Sequence, residues 1–205
     1  MEKPFWEDIY KNKDGDFLFN QGKPSIEIIE ITKKIIPNSK ILDIGCGDGR
    51  NSIYMAEQGF KVAAFDVSGF AIGKLKYIAK QRKLQLNVFV QDMVKYKFTE
   101  SFDVIITHGC LHLIKRSEWL NLIENIKLHT KKDGYNIHAV FTDTIESSED
   151  MKSLCKGLFQ EGELFNLYND WNIELQESYI LEDEHPGGIK HKHPINKIVA
   201  RNKME

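Results

Sequence analysis

Apolar positions along this chain follow two periods in turn, and the switches between them outline its elements. Residues 25–36 recur at helical spacing, with Ile28, Ile31 and Ile35 on one face, Pro24 at the first turn and Pro37 ending it. Residues 40–44 are a short apolar run of strand length, and 50–58 return to the helical pattern. Residues 61–66 predict a second strand. Ser68 can cap the helix that follows, on which Ala71, Leu75, Ile78 and Ala79 share a face. Leu86 to Val90 and Asp103 to Thr107 predict a third and a fourth strand. Ser117 is the expected cap of a helix that turns Leu120, Ile123 and Ile126 inward, and Tyr135 to Phe141 predicts a fifth strand. Past residue 141 the period is lost. Residues 142–160 read as a loop or flexible insertion and 161–170 as a short helix. Ile173 to Ile180 and Pro194 to Ala200 read as a final pair of strands, with Gly187-Gly188 at the turn between them.

Strand and helix alternating through short connections indicate a parallel sheet covered on both faces. The expected fold is α/β: a Rossmann-like, doubly wound, mostly parallel seven-stranded sheet with an antiparallel C-terminal hairpin and helices on both faces. A single domain over 1–205 is expected, with 1–23 as a lid-like segment and 142–170 as an insertion plus short helix. A chain of 205 residues with 41% hydrophobic residues suits one sizeable core. No internal repeat or low-complexity segment interrupts it.

The chemistry concentrates where the first strand ends. Asp43 closes that strand, and Gly45-Cys46-Gly47-Asp48-Gly49 follows before the helix opens at Arg50-Asn51. Glycines so spaced between strand and helix let backbone N–H groups approach a ligand closely. Asp66 ends the second strand, about twenty residues on, where a carboxylate can accept from both hydroxyls of a ribose. The spacing is G-x-G-x-G rather than the G-x-G-x-x-G of dinucleotide sites. Asp43 and Asp48 would repel a pyrophosphate but suit an ammonium or sulfonium group. S-adenosyl-L-methionine carries both, plus the ribose that Asp66 requires.

This segment resembles the class I methyltransferases dependent on S-adenosylmethionine. Asp43 with the glycines matches their first motif and Asp66 their second. Gln91-Asp92-Met93 resembles their third strand end, and residues 102–107 their fourth strand. A closer likeness is to the tellurite-resistance (TehB-like) methyltransferases. It rests on Gly45-Cys46-Gly47-Asp48-Gly49-Arg50-Asn51-Ser52, Gly134-Tyr135-Asn136, Glu161-Gly162-Glu163-Leu164 with Tyr168 and Trp171, and Ala200-Arg201. It runs from about residue 25 to the end and implies methyl transfer to a small, soft nucleophile such as tellurite or selenite. Lys132-Asp133 stands where that family usually has Pro-Gly, and the tail around His185 differs from its usual hairpin.

Asp43 is thus expected to hold the methionine ammonium through water, and Gly45 and Gly47 to give close backbone approach, with Cys46 between them in the cofactor-binding loop, where a small side chain is needed. Asp66 takes the ribose, Asp92 the adenine amine, and Val67 and Met93 sandwich the ring; Gln91, Asn51 and Thr107 complete the expected cofactor set. Arg50 is a candidate for a carboxylate or anionic substrate, since its planar fork matches oxyanions. His108, just past the fourth strand, and His185, which matches the family's tail histidine, are candidates for acting on the acceptor. His112, His129 and His138 read as structural. His185, His191 and His193 cluster in the tail, but without a partner at fixed spacing they make no convincing metal site, and none is expected. Trp6 and Tyr10 lie four apart on a short amphipathic stretch that suits a lid.

Charge and cysteine usage narrow the partners. The formal net charge of −2 supplies no basic patch for nucleic acid. No apolar run is long enough to cross a membrane, and the stretch from Met1 to Trp6 lacks the apolar core of a signal peptide. Cys46, Cys110 and Cys155, with no C-x-x-C, suit free thiols in a reducing cytoplasm. The expected partner is a small-molecule acceptor, with neither nucleic acid nor membrane, for a monomer or homodimer. Two other readings remain open: a methyltransferase for an organic thiol, amine or carboxylate, or a catalytically silent S-adenosylmethionine-binding protein. A histidine-tailed metal-binding protein is the rival from a further class.

Overall fold

The computed structural model describes residues 7–11, 17, 20–145, 152–185 and 189–203. In chain order the elements are α1 (Glu7–Lys11), α2 (Ile26–Thr32), β1 (Lys40–Ile44), α3 (Arg50–Glu57), β2 (Lys61–Asp66), α4 (Gly69–Gln81), β3 (Asn87–Val90) and β4 (Phe102–His108). They continue with α5 (Arg116–Leu128), β5 (Thr130–Phe141), α6 (Glu163–Asn166), β6 (Asn172–His185) and β7 (Ile189–Arg201). The seven strands form one mixed sheet in the order β3-β2-β1-β4-β5-β7-β6. The chain runs outward from β1 to β3 and then returns to β4 beside β1. That reversal is the switch point at which ligands of open α/β sheets bind.

The chain divides into two compact units, residues 1–106 and 107–205. In the first, β1 pairs in parallel with β2, and β2 with β3. Parallel strands buried on both sides must be apolar throughout. Ile41, Leu42, Ile44, Ala64 and Phe65 are accordingly sealed from solvent, with Ile53 and Met55 of α3 and Leu75 of α4 packed beside them. Ser68 caps α4 as its spacing predicts, its Oγ accepting from the Ala71 N–H at 3.1 Å. α2 is shorter than 25–36: it ends at Thr32, whose hydroxyl turns back onto the Ile29 carbonyl at 2.7 Å, and Ile35 is only half-buried.

In the second unit β7 pairs antiparallel with both β5 and β6. Four elements differ from the sequence expectation. α5 begins one residue before Ser117, and Lys115, not Ser117, precedes it, its N–H donating to Glu118 Oε2 at 2.8 Å. The buried face of α5 is Trp119, Leu122, Ile123 and Ile126, while Leu120 is half-buried, because the indole takes the core position. β5 starts at Thr130, where a polar segment carries no apolar signal; the Asn202 side chain holds it by donating to the Thr130 and Lys131 carbonyls at 2.9 and 3.2 Å.

The hairpin strands run beyond Ile173–Ile180 and Pro194–Ala200, pairing on to His185 opposite Ile189. Charge complementarity such as Lys192–Glu182 at 3.2 Å, rather than apolar alternation, accompanies this extension. Gly187-Gly188 lies outside the described residues. The described ends of 142–160 are packed rather than loose. Phe159 stacks on Trp119 with ring centroids 3.9 Å apart, and the Trp119 indole N–H donates to the Gly157 carbonyl at 2.9 Å. Two isolated residues make that anchor, so no period announces it.

Candidate functional site

The glycine loop leaves β1 and is tied at once to the next strand: Gly45 and Cys46 N–H donate to the Phe65 carbonyl at 2.9 and 3.0 Å. Gly47 and Gly49 then take φ of +55° and +86°, values that residues with a Cβ rarely adopt. Asp66, at the end of β2, grips the loop from outside. Its Oδ2 accepts from the Gly47 N–H and its Oδ1 from the Ser68 N–H, both at 2.9 Å. Gln91 N–H donates to the Asp66 carbonyl at 2.9 Å, so the ends of β2 and β3 are joined at the same place. One carboxylate therefore sets the loop's shape and presents its remaining lone pairs beside it. Burial pushes the Asp66 carboxyl up, the N–H groups of Ser68 and Gly47 oppose that, and nearby Glu7 adds to the rise.

Asp43, the residue before the last of β1, is 3% exposed and accepts from the Ser52 hydroxyl at 2.6 Å. Burial pushes its carboxyl up to about 6, with Ser52 and Arg50 opposing and Asp66 reinforcing. Asp48, inside the loop, is also buried. An acid-rich, desolvated loop of this kind repels a pyrophosphate and favours a cationic ligand, which would draw Asp43 into its charged form. Ser52 closes the glycine-loop motif of the family resemblance, and its place in the first turn of α3 brings its hydroxyl to Asp43.

α1 adds two groups to this loop. A Cβ on Gly47 would run into the Tyr10 hydroxyl, and Tyr10 is 8% exposed. Burial first, then the charges of Asp66 and Asp48, push the Tyr10 phenol well up, so it is a neutral hydroxyl. Glu7 pairs with the Ser68 hydroxyl, and Lys11 lies 5.8 Å over the Phe70 ring. Tyr10 is half of the expected lid pair; Trp6 lies outside the described residues. Glu7 carries no signal in the sequence, being an isolated Glu on a short helix.

The other expected cofactor residues of this unit are less uniform. Asp92 is half-buried and caps a short turn, its Oδ1 accepting from the Val94 N–H at 3.0 Å; Met93 beside it is half-buried and Val67 is 38% exposed. The Gln91 amide donates to the Asp92 carbonyl at 3.2 Å. Cys46 is half-buried with its thiol toward the Gly47 carbonyl at 3.5 Å. Asn51 is buried and its Oδ1 accepts from the Ser25 N–H at 3.1 Å, so that oxygen anchors the chain entering α2. Arg50 donates to the Lys23 carbonyl at 3.0 Å.

In the second unit, Thr107 begins a buried hydrogen-bond chain that the sequence did not announce. Thr107 Oγ1 lies 2.6 Å from His138 Nδ1, and His138 Nε2 lies 2.6 Å from the Tyr168 hydroxyl. Tyr168 donates to Asn136 Oδ1 at 3.0 Å, Asn136 Nδ2 to Thr130 Oγ1 at 2.7 Å, and Thr130 to the Ile126 carbonyl at 2.7 Å. Because Tyr168 donates onward, it accepts from His138 Nε2–H, and Nδ1 is left to accept from Thr107. The ring is thus neutral, as its burial requires: desolvation lowers His138 to about 3. His138 is structural, as expected.

His129 caps α5 with Nδ1 2.8 Å from the Asn125 carbonyl oxygen, where a histidine complements the helix dipole. His108 is half-buried at the end of β4. His185 ends β6 by backbone pairing, but its side chain and that of His191 lie outside the described residues. Among the described residues no cluster of three His, Cys, Asp or Glu side chains could hold a metal ion, and no helix is long and apolar enough to cross a membrane.

The strand order and glycine loop define a protein of the Rossmann-like methyltransferase fold. A similar solved structure is that of TehB from Haemophilus influenzae, with a TM-score of 0.81 and 25% identity over 96% of this chain and 67% of that one. The N-methyltransferase NodS from Bradyrhizobium japonicum in complex with S-adenosyl-L-homocysteine has a TM-score of 0.66 at 15% identity, over 99% of this chain and 90% of that one, a likeness of fold. The family model described as tellurite resistance protein TehB matches residues 7–185, and the chain belongs to that family. A curated relative from Haemophilus influenzae, named as a probable S-adenosyl-L-methionine-dependent methyltransferase TehB, is 29% identical over 174 residues. That match covers 83% of this chain and 59% of the relative's length.

Proposed function

We propose that this chain is an S-adenosyl-L-methionine-dependent methyltransferase acting on a small molecule, with a soft metalloid oxyanion such as tellurite or selenite as acceptor. The observation that carries the cofactor reading is the grip of Asp66 on Gly47, in a loop that follows buried Asp43, whose carboxyl the charge of Asp66 also raises. The arrangement offers hydroxyl-accepting oxygens and a latent negative charge beside a half-buried glycine loop. The donor set fits a nucleoside bearing an ammonium and a sulfonium, and it does not fit a phosphate. Family membership supports the acceptor class.

In this reading Asp66 accepts from the ribose, Asp92 from the adenine amine, and Val67 and Met93 flank the ring. Gly45, Cys46 and Gly47 present backbone, and Asp43 balances the ammonium. When bound, the cofactor supplies an electrophilic methyl group. The chain's own residues align the reactants and keep water away, which for an in-line displacement is the main source of acceleration. Tyr10 and Glu7 close over the loop from α1 and shield it from water. A soft nucleophile with a free lone pair needs no base. A thiol or amine would, and His108 or His185 would then take its proton. Free thiols at Cys46, Cys110 and Cys155 support a cytoplasmic site of action.

The test is a screen of selenite, tellurite and small thiols with the purified chain, read by formation of S-adenosylhomocysteine. Turnover with an oxyanion supports the proposal. Binding of the cofactor without turnover across a broad acceptor panel replaces it with a silent binding protein.

A further inference from the structure

His112 is a histidine that the cofactor site does not use, and it is held more firmly than a surface imidazole. It sits in the short turn 111–113 that follows β4, and it is 2% exposed. Its Nδ1 accepts from the Phe141 N–H at 3.3 Å. Its ring stacks on Phe141 with centroids 4.0 Å apart and planes within 10°, and His193 stacks on Phe141 at 4.5 Å. Its carbonyl accepts from the Gly157 N–H at 3.1 Å. Position, ring plane and tautomer are all therefore set. A backbone N–H can donate only to an unprotonated Nδ1, so the ring's single proton resides on Nε2.

No described residue accepts from that Nε2–H. Nor is the atom sealed away: among the described residues the buried side-chain nitrogens and oxygens without a partner are Trp171 Nε1 and Arg201 Nε. The exposed edge of an otherwise buried, immobile ring is thus a single N–H donor. It lies past the carboxyl end of β4, on the side of such sheets where ligands bind.

We propose that His112 presents its Nε2–H as a fixed hydrogen-bond donor to an oxygen of the methyl acceptor, and that it does not act as a base. The acceptor class is a molecule carrying an anionic oxygen next to its nucleophilic atom. This rests on the methyl-transfer reading for the use of the donor, but not for its existence. Burial and the neighbouring His193 hold the ring neutral, lowering it to about 3, so the donor persists across the physiological pH range. A ring already protonated on its accessible nitrogen has no lone pair there to take a proton.

The experiment uses the full chain with S-adenosylhomocysteine and sodium selenite as probes. Imidazole nitrogen NMR from pH 5 to 8 is expected to show His112 neutral and protonated on Nε2 throughout. Protonation on Nδ1, or titration within that range, overturns the proposal. Selenite titration should shift the His112 resonances saturably, and absence of a shift overturns it. Two variants separate recognition from folding. H112N keeps an acceptor for the Phe141 N–H but has no donor at the Nε2 position, whereas H112Q restores a donor there.

H112N is expected to melt near the parent yet lose selenite affinity about tenfold, while H112Q retains it within about threefold. Both should bind S-adenosylhomocysteine as the parent does. Equal selenite affinity in H112N and parent overturns the proposal. Selenite bound through His112 but never methylated leaves this inference standing and removes selenite as a substrate. Selenite methylated with an unchanged KM in H112N does the reverse.

Discussion

Replacing Asp43 with Asn should stabilise the ligand-free protein and weaken it as a cofactor binder. The carboxyl is fully desolvated and its folded value lies at about 6, against 3.8 for the free group. A carboxyl raised on folding binds its proton more tightly in the native state. Its favourable contribution is therefore complete below pH 3.8 and is lost as pH rises through 6. Two pH units at 1.36 kcal/mol each make the ionised group unfavourable by about 3 kcal/mol at neutral pH. Asn cannot ionise, and its carbonyl can still accept from Ser52. The expected difference between D43N and parent is near zero at pH 4 and grows to about 3 kcal/mol by pH 7, roughly 6–12 °C in Tm for a chain of this size. A cationic ligand restores the balance in the parent only, so D43N should bind S-adenosylmethionine roughly ten- to a hundredfold more weakly. Urea denaturation at pH 4 to 7, with calorimetric titration of the cofactor, measures both effects. A stability difference independent of pH, or undiminished affinity in D43N, refutes the argument that burial of this charge is tolerated for the ligand's sake.

Other consequences are equally open to measurement. Asp66→Ala removes the acceptor of the Gly47 and Ser68 N–H groups, and cofactor affinity by calorimetry should fall roughly ten- to a hundredfold; an unchanged affinity in a folded variant removes Asp66 from the site. Tyr168→Phe takes the partner from His138 Nε2 and Asn136 Oδ1, and should cost about 2–4 kcal/mol in urea unfolding while cofactor affinity stays constant. His112 and His138 are both lowered to about 3, so each contributes stability that is complete above pH 6.5 and is lost as pH falls toward 3. The acid loss should run at about 1.4 kcal/mol per pH unit for each histidine, and chemical denaturation at pH 7, 6 and 5 would expose its absence. Gly47→Ala meets both a positive φ and the Tyr10 hydroxyl; α1 should be displaced, with faster proteolysis near residue 10 and weaker cofactor binding, and unaltered values for both contradict the contact.

The order of strands and helices, the glycine loop and the acids flanking it follow from residues close together in the chain. Binary pattern and turn chemistry are local, so β1, α3, β2 and the cap at Ser68 could be assigned from periodicity and spacing alone. The hand of each βαβ crossover follows as well, because such crossovers are right-handed, whereas the return of β4 to the side of β1 is a tertiary pairing. What folding added is contact between residues far apart in the sequence. The packing of Tyr10 on Gly47, the pair Glu7–Ser68, the chain from Thr107 through His138 and Tyr168 to Asn136, and the anchoring of Phe159 on Trp119 have no periodic signature. Each joins isolated side chains across tens of residues. The tautomers of His112 and His138, and the raised carboxyl of Asp43, are likewise properties of burial and of a partner's donor or acceptor, not of residue type. Only the folded chain supplies the low dielectric and fixed geometry that decide where those protons reside.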